Sequence, residues 1–95
     1  MPSVTFSVVW PDGETEQYYS PSTIIHEFVK VNSIYSQQEF AERINAALNA
    51  ASDRVVAKFG YACSAAADEK RKIADKFATL ERQNITGSVH VCAMT

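Results

Sequence analysis

A helix start at residue 36 constrains the fold of this chain more than any other feature of its sequence. Ser36-Gln37-Gln38-Glu39 has the pattern of a capping box, in which the serine and glutamate side chains satisfy backbone N–H groups of the first turn. Tyr35 and Phe40 occupy the positions at which apolar side chains pack across such a start. The apolar residues that follow recur at three- and four-residue spacing: Phe40, Ile44, Ala47, Leu48, Ala51, Val55 and Phe59. This pattern predicts a helix of about six turns, ended by Gly60 with Tyr61 folding back on the last turn.

A second helix is predicted from residue 64 to residue 82. Its apolar positions share one side: Ala66, Ile73, Phe77 and Leu80. We expect the charged residues of this helix to lie on the other side, facing solvent. Because only a short junction around Gly60 and Tyr61 separates the two helices, we expect them to form a helical hairpin.

Alternation of apolar and polar residues predicts strands near both ends of the chain. Residues 4–10 follow this pattern, and Pro11-Asp12-Gly13 then predicts a chain reversal. Residues 14–19 suit the edge strand of a hairpin. In the closing strand, three apolar residues alternate with His90 and Cys92: Val89, Val91 and Ala93.

Residues 23–34 show no clean period, and two interpretations remain open. Ser20 as a cap, with Pro21 at the first helical position, would suit a short helix. The β-branched residues of the segment would equally suit a third strand.

The predicted fold class is α+β. We expect a small antiparallel or mixed sheet, made of the β-hairpin plus the C-terminal strand, with the helical hairpin packed on one face. The length of 95 residues fits a single domain over residues 1–95, with the first strand in the centre of the sheet. The opposite face would remain uncovered, and Thr5, Ser7 and Val9 would suit pairing with a second subunit or another partner.

Charge and hydropathy exclude two classes of partner. Nine Lys and Arg against eleven Asp and Glu give a formal net charge of −2, so we predict no nucleic-acid partner. The basic residues 70–72 and Lys76 are interleaved with Asp68, Glu69 and Asp75, which we interpret as a solvated helix face. No apolar run approaches the roughly 20 residues of a membrane span, and no signal peptide is visible. We therefore predict no membrane partner and a cytoplasmic location, where both cysteines would be free thiols.

Candidate catalytic and metal-ligating residues are few. Cys63, Cys92, His26 and His90 form no CxxC or HxxxH pair, so we expect no metal and no cofactor. Cys63 precedes the second helix, where the helix dipole lowers a thiol pKa, yet a cysteine packed in the core is the favoured interpretation. His26 is interpreted as a surface residue. The aromatic residues around the hairpin suit either a recognition patch or, preferably, core packing: Trp10, Tyr18 and Tyr19.

Several motifs resemble those of a known family when they are taken together in order: Trp10-Pro11-Asp12-Gly13, Tyr19-Ser20-Pro21-Ser22, Ala47-Leu48, Ala51-Ser52-Asp53-Arg54-Val55 and residues 59–65. The family is that of small nitrogen-starvation response proteins encoded beside a nitrilase in a bacterial gene cluster. The resemblance covers nearly the whole chain. It implies a bacterial, cytoplasmic protein whose genetic neighbours include a nitrilase, a radical S-adenosylmethionine enzyme, an acetyltransferase, a flavoprotein and a relative of aminoimidazole ribonucleotide synthase.

The resemblance implies no catalytic residue, because no reaction is assigned to this family. It singles out a candidate binding or functional surface: Trp10, Asp12, Tyr19, Ser20, Ser22, Arg54, Cys63 and Ser64. Turns, strand ends and helix junctions explain most of these positions without any site. We expect a non-catalytic accessory or protein-binding component that acts on a pathway enzyme and can form a homodimer. The alternatives are a small enzyme using Cys63 and a histidine at a subunit cleft, and a metabolite-binding sensor.

Overall fold

The computed structural model of the chain describes residues 3–60 and 64–95. Within these ranges the elements follow one another as β1 (Val4–Val9), β2 (Thr15–Ser20), a 3-10 helix (Thr23–Glu27), β3 (Ser33–Ser36), α1 (Gln37–Phe59), α2 (Ser64–Arg82) and β4 (Ser88–Met94). Both long helices are confirmed, and α2 has the predicted bounds. No helix in the described part of the chain is long and apolar enough to cross a membrane.

The strands form one antiparallel sheet in the order β2-β1-β4-β3. β1 lies inside the sheet because it pairs with β2 on one side and with β4 on the other. The chain reverses between β1 and β2 at Gly13, which adopts a φ of 91° and donates its N–H to the Trp10 carbonyl at 2.9 Å. The predicted hairpin, the edge strand that follows it and the central first strand are confirmed, as is the α+β fold class.

The sequence did not decide whether residues 23–34 form a short helix or a strand, and the structure contains one of each. The 3-10 helix comes first, and β3 follows. The helix cap is Ser22, whose hydroxyl accepts the N–H of Ile24 at 3.3 Å. Ser20 is not the cap, because it still pairs with Val4 at the end of β2 and donates its hydroxyl to the Ser22 carbonyl at 2.7 Å. The expected three strands become four, since β3 adds to the sheet beside β4.

Both helices bury their apolar residues against the same face of the sheet. The buried core includes residues of β1, β2, the 3-10 helix, both long helices and β4: Phe6, Val8, Tyr18, Ile25, Phe40, Ile44, Leu48, Ile73, Leu80, Val89 and Val91. The prediction for Phe59 is wrong, because this residue is 47% exposed. α1 has 23 residues and is therefore about 34 Å long, whereas a sheet of this size measures roughly 20 Å. The last turns of α1 extend beyond the sheet.

The ends of α1 follow the sequence pattern, except that the Glu39 carboxylate accepts the Nε of Arg43 at 2.9 Å, so only the serine half of the capping box is confirmed. The hydroxyl of Ser36 accepts the N–H of Glu39 at 3.1 Å. Gly60 takes the left-handed conformation with a φ of 79°, and its N–H donates to the Val56 carbonyl at 2.8 Å. The predicted contact of Tyr61 with the last turn falls outside the described residues.

A β-bulge interrupts the closing strand at Cys92. Ser7 pairs with Ala93 and Val8 pairs with Val91, so Cys92 is an extra residue on β4. Its thiol donates to the Ser7 carbonyl at 3.5 Å. The expected alternation ends at this point, because Val91 is buried whereas Ala93 is exposed.

Replacing the cap of α1 by alanine tests the capping box. Ser36→Ala leaves the N–H of Glu39 without its acceptor, and we expect the free energy of unfolding to fall by about 1 kcal/mol. Urea denaturation followed by circular dichroism measures this change. Asn45→Ala, an exposed position within the same helix, is the control and should cause no loss. Equal unfolding midpoints for wild type and Ser36→Ala would show that the cap does not stabilise α1.

Candidate functional site

Trp10 joins the β1–β2 hairpin to both helices. Its buried indole packs edge-on against Phe40 of α1 at 5.6 Å between ring centroids and against Phe77 of α2 at 5.2 Å. It meets Tyr18 of β2 in the same way at 6.2 Å, and the indole N–H donates to the Tyr18 hydroxyl at 3.2 Å. Trp10 and Tyr18 are therefore core residues, and the preferred interpretation of this aromatic pair is confirmed.

Ion pairs of Lys76 link α2 to the hairpin turn. The Nζ of Lys76 donates to the carboxylate of Asp12 at 2.6 Å and to that of Glu14 at 2.8 Å. The other oxygen of Asp12 accepts the backbone N–H of Glu14 at 3.0 Å. The expectation that the charged residues of α2 face solvent is wrong for Lys76, whose side chain is only 9% exposed. Its partners lie in the hairpin turn, so the Lys76 side chain points from α2 towards the β1–β2 hairpin.

Both ends of this ion pair have shifted pKa values. The hydrogen bond from Lys76, followed by the one from the Glu14 backbone, holds the pKa of Asp12 below its usual 3.8. Burial opposes the charge on Lys76, but its hydrogen bonds to Asp12 and Glu14 outweigh burial and raise its pKa. Both shifts favour the charged pair at neutral pH.

A cleft of about 620 Å³ opens between β2 and α2, and we call it the α2–β2 cleft. Its lining consists of Glu14, Glu16, Gln17, Tyr18, Lys72, Asp75, Lys76 and Thr79. The Tyr18 hydroxyl donates to the Glu16 carboxylate. Burial, followed by this hydrogen bond and the charge of Glu16, raises the pKa of Tyr18, so its phenol stays protonated at physiological pH.

Glu69 is the second buried charge of α2, and it is not among the residues that line the cleft. It is 7% exposed, although the sequence predicted a solvent-facing residue. One carboxylate oxygen accepts the Nζ of Lys72 at 3.2 Å. The other, Oε2, is buried and has no hydrogen-bond partner among residues 3–60 and 64–95. The charge of Glu69 also contributes, as the smallest of the causes, to the raised pKa of Tyr18.

The sheet face opposite the helices, which we call the open face, is a second candidate surface. The strand register assigns eleven residues to it: Thr5, Ser7, Val9, Thr15, Gln17, Tyr19, Ile34, Ser36, Ser88, His90 and Ala93. None of these eleven is Asp, Glu, Lys or Arg. Ile34 is 67% exposed. The open face is therefore a mixed apolar and neutral polar surface.

The residues singled out by the family resemblance do not converge on one site. Trp10 and Asp12 border the hairpin turn, and Tyr19 lies on the open face. Ser20 and Ser22 are buried beside the 3-10 helix. Arg54 is exposed on α1 and Ser64 is the first residue of α2, whereas Cys63 falls outside the described residues.

The cysteines and histidines do not form a metal site in the described part of the chain. His26 is exposed on the 3-10 helix, as expected, and His90 lies on the open face. Cys92 occupies the bulge and is half-buried. No group of three or more His, Cys, Asp and Glu side chains within the described ranges could hold a metal ion. Cys63 falls outside the described residues, so a core cysteine stays the prediction for it and a reactive thiol the alternative.

The comparisons with known proteins agree with the resemblance noted in the sequence. The family model of the nitrogen starvation-induced protein NitG matches residues 5–94. The chain belongs to the NitG family. No curated protein sequence and no solved structure matches the chain significantly. Membership of the NitG family confirms the predicted link with nitrogen starvation.

Lys76→Gln tests the ion pair of this NitG-family protein. The substitution removes two charge-assisted hydrogen bonds, and we expect the free energy of unfolding at pH 7 to fall by about 1–2 kcal/mol. Because folding lowers the pKa of Asp12, its ionised form stabilises the fold above the unfolded pKa and loses this effect as pH falls through the lowered value. The difference between wild type and variant should therefore shrink below about pH 3.8.

Urea denaturation of both proteins from pH 7 to pH 2 measures this difference. Lys70→Gln is a matched control on the same helix, because the Nζ of Lys70 donates to the neutral side chain of Asn49 and not to a carboxylate. A loss that stays constant down to pH 2 would contradict the role of Asp12.

Tyr18→Phe tests the hydrogen bond inside the aromatic cluster. Without the hydroxyl, the buried indole N–H of Trp10 loses its acceptor, and we expect a loss of about 1–3 kcal/mol in the free energy of unfolding. Fluorescence of Trp10, the one tryptophan in the sequence, follows this unfolding directly. Tyr19→Phe on the open face should leave stability nearly unchanged. A Tyr18→Phe protein as stable as wild type would show that the hydrogen bond contributes nothing.

Proposed function

We propose that the protein is a non-catalytic, protein-binding accessory component of the nitrogen-starvation response, located in the cytoplasm. Its partner is an enzyme of the same nitrilase-associated pathway. The observation that carries this proposal is the open face, whose eleven residues include no Asp, Glu, Lys or Arg. Depletion of charge at the centre of a surface is typical of protein interfaces.

The dimensions of the open face favour a transient complex. Four strands spaced about 4.8 Å apart and about six residues long cover roughly 20 Å by 20 Å. Standard interfaces bury about 800 Å² on each partner, which exceeds what this face supplies alone. A reversible partner therefore fits the surface better than a permanent subunit.

The position of Ile34 supports a protein partner for the same face. This residue is 67% exposed on β3, which is an edge strand of the sheet. Val9 and Ile34 flank His90 in one row across the sheet. This row places two apolar side chains, one on either side of His90, and a partner can bury them at about 25 cal/mol per Å² of apolar surface.

Photo-crosslinking in nitrogen-starved cells of the source organism tests this proposal. A photoreactive phenylalanine analogue at Thr5, which is exposed on the central strand of the open face, should form a crosslink to a pathway enzyme. The same analogue at Asn45, exposed on α1, should not. Mass spectrometry identifies the crosslinked protein.

Two further variants make the test specific. Ile34→Lys introduces a charge into the open face and should abolish the crosslink from Thr5. Val56→Lys changes an exposed apolar residue on α1, away from the open face, and should not affect it. A crosslink only to a second copy of the chain would overturn the enzyme partner in favour of a homodimer. A crosslink that survives Ile34→Lys would overturn the role of the open face.

A further inference from the structure

We propose that the outer edge of β2, together with the α2–β2 cleft beside it, binds an extended basic segment of a partner protein as an added strand of the sheet. The site consists of backbone groups of β2 and of side chains on the helix side of the sheet. It lies at the opposite edge of the sheet from β3, which carries Ile34. It therefore stands independently of partner binding at the open face.

The backbone of β2 is hydrogen-bonded on one side only. Thr5 of β1 donates its N–H to the Thr95 carbonyl at 3.2 Å and accepts the Thr95 N–H at 2.9 Å, so its backbone groups point away from β2. Tyr19 pairs with Thr5, and its own N–H and C=O therefore face the outside of the sheet. Because the two kinds of pair alternate along an antiparallel ladder, the N–H and C=O groups of Thr15 and Gln17 also face outwards.

These outward groups form a template for another strand. The bond from the Trp10 N–H to the Glu14 carbonyl, at 2.8 Å, agrees with the same alternation at the hairpin end of β2. β2 has six residues and is the longer edge strand, since β3 has four. No strand among the described residues pairs with its outer side, and Thr15 and Gln17 are exposed. An open edge of this kind can bind an extended peptide through main-chain hydrogen bonds.

The α2–β2 cleft provides space for side chains of the added strand. Its volume of about 620 Å³ falls within the usual range of binding sites. Glu16 and Tyr18 of β2 line one wall, and Asp75 and Thr79 of α2 line the other. Gln17 also belongs to the lining, although the strand register assigns it to the open face, so the cleft reaches the outer edge of β2. Alternate side chains of an added strand would enter this cleft.

The charges of the cleft select a basic segment. Both lysines of its lining are already paired with carboxylates: Lys72 with Glu69, and Lys76 with Asp12 and Glu14. Glu16 and Asp75, which line the same cleft, have no cationic partner in the described ranges. Lys or Arg side chains of the added strand would supply the missing charge, and opposite charges on neighbouring strands stabilise their pairing.

A second copy of this chain fits the edge less well than a different protein. Its β2 would bring another Glu14 and Glu16 to the same cleft, where like charges repel. A segment with Lys or Arg at every second position avoids this repulsion. The residues between them would face the neutral side chains of Thr15, Gln17 and Tyr19, which suits uncharged residues.

Titration with an acetylated and amidated heptapeptide of alternating Lys and Thr tests the site. At about 3.3 Å per residue, this peptide matches the length of β2 when extended. We expect antiparallel addition, as in the rest of the sheet, with saturable binding in isothermal titration calorimetry. Hydrogen exchange should slow at the amides of Thr15, Gln17 and Tyr19. The amides of Glu16 and Tyr18 face β1 and should not change.

Two N-methylated peptides separate backbone pairing from charge. Directly opposed residues of antiparallel strands have side chains on the same face, so the threonines of the peptide lie opposite Thr15, Gln17 and Tyr19. N-methylation of these threonines removes the N–H groups that face β2 and should weaken binding at least about tenfold. N-methylation of the lysines leaves charge and composition the same, and this peptide should retain most of the affinity because those N–H groups face solvent. A peptide with Glu in place of each Lys should bind at least about tenfold more weakly.

Gln17→Pro and Gln17→Ala are a matched pair of variants. Proline removes the outward N–H of residue 17, which takes no part in pairing with β1, so the edge strand tolerates it. Binding of the Lys-Thr peptide should fall at least about tenfold in Gln17→Pro and stay within about twofold of wild type in Gln17→Ala. Glu16→Gln should weaken binding several-fold, whereas Glu42→Gln, an exposed carboxylate of α1, should not. Fluorescence of Trp10 verifies that each variant is folded.

Three results would overturn the proposal: no saturable binding at millimolar peptide, equal affinities of the two N-methylated peptides, or unchanged binding in a folded Gln17→Pro protein. Slower exchange at β3 instead of β2 would assign the peptide to the wrong edge and overturn it as well. Ile34→Lys should bind the peptide as wild type does. A failure of this site is thereby distinguishable from a failure of partner binding at the open face.

Discussion

The edge-on packing of the Trp10 indole is the contact on which the rest of the structure depends. One ring at the end of the central strand meets Phe40 of α1, Phe77 of α2 and Tyr18 of β2. Because Tyr18 also accepts the indole N–H and donates to Glu16, the same contact that closes the core orients a polar group at the α2–β2 cleft. Tyr18 is thus both a core residue and part of the lining of the α2–β2 cleft.

Because the helices cover only one face of the sheet, the surface of the molecule has two chemically different regions. On the helix side, carboxylates and lysines line the cleft between α2 and the edge strand β2. The residues that the strand register assigns to the other side of the sheet include no Asp, Glu, Lys or Arg. The two sides of the sheet therefore offer different chemistry to anything that contacts them.

Sequence patterns predicted the elements whose signals are local, and they missed those that depend on distant pairing. The capping box at Ser36 and the turn at Gly13 act within a few residues, so α1 and the hairpin were predictable. β3 has only four residues, too few for a period, and the bulge at Cys92 depends on the register against β1. Likewise, Lys76 and Asp12 are 64 residues apart, so neither the ion pair nor the cleft beside it could be predicted.

The strand order also dictates when the sheet can assemble. β3 has a single neighbour, β4, and the two are separated along the chain by both long helices. On the ribosome, the β1–β2 hairpin and α1 can form early, while β3 and the second edge of β1 must wait until β4 has been synthesised. Pairings of such long sequence separation slow folding. A nascent chain of this protein therefore exposes two unpaired strand edges, which are the natural contact points for a chaperone or for misassembly between neighbouring chains.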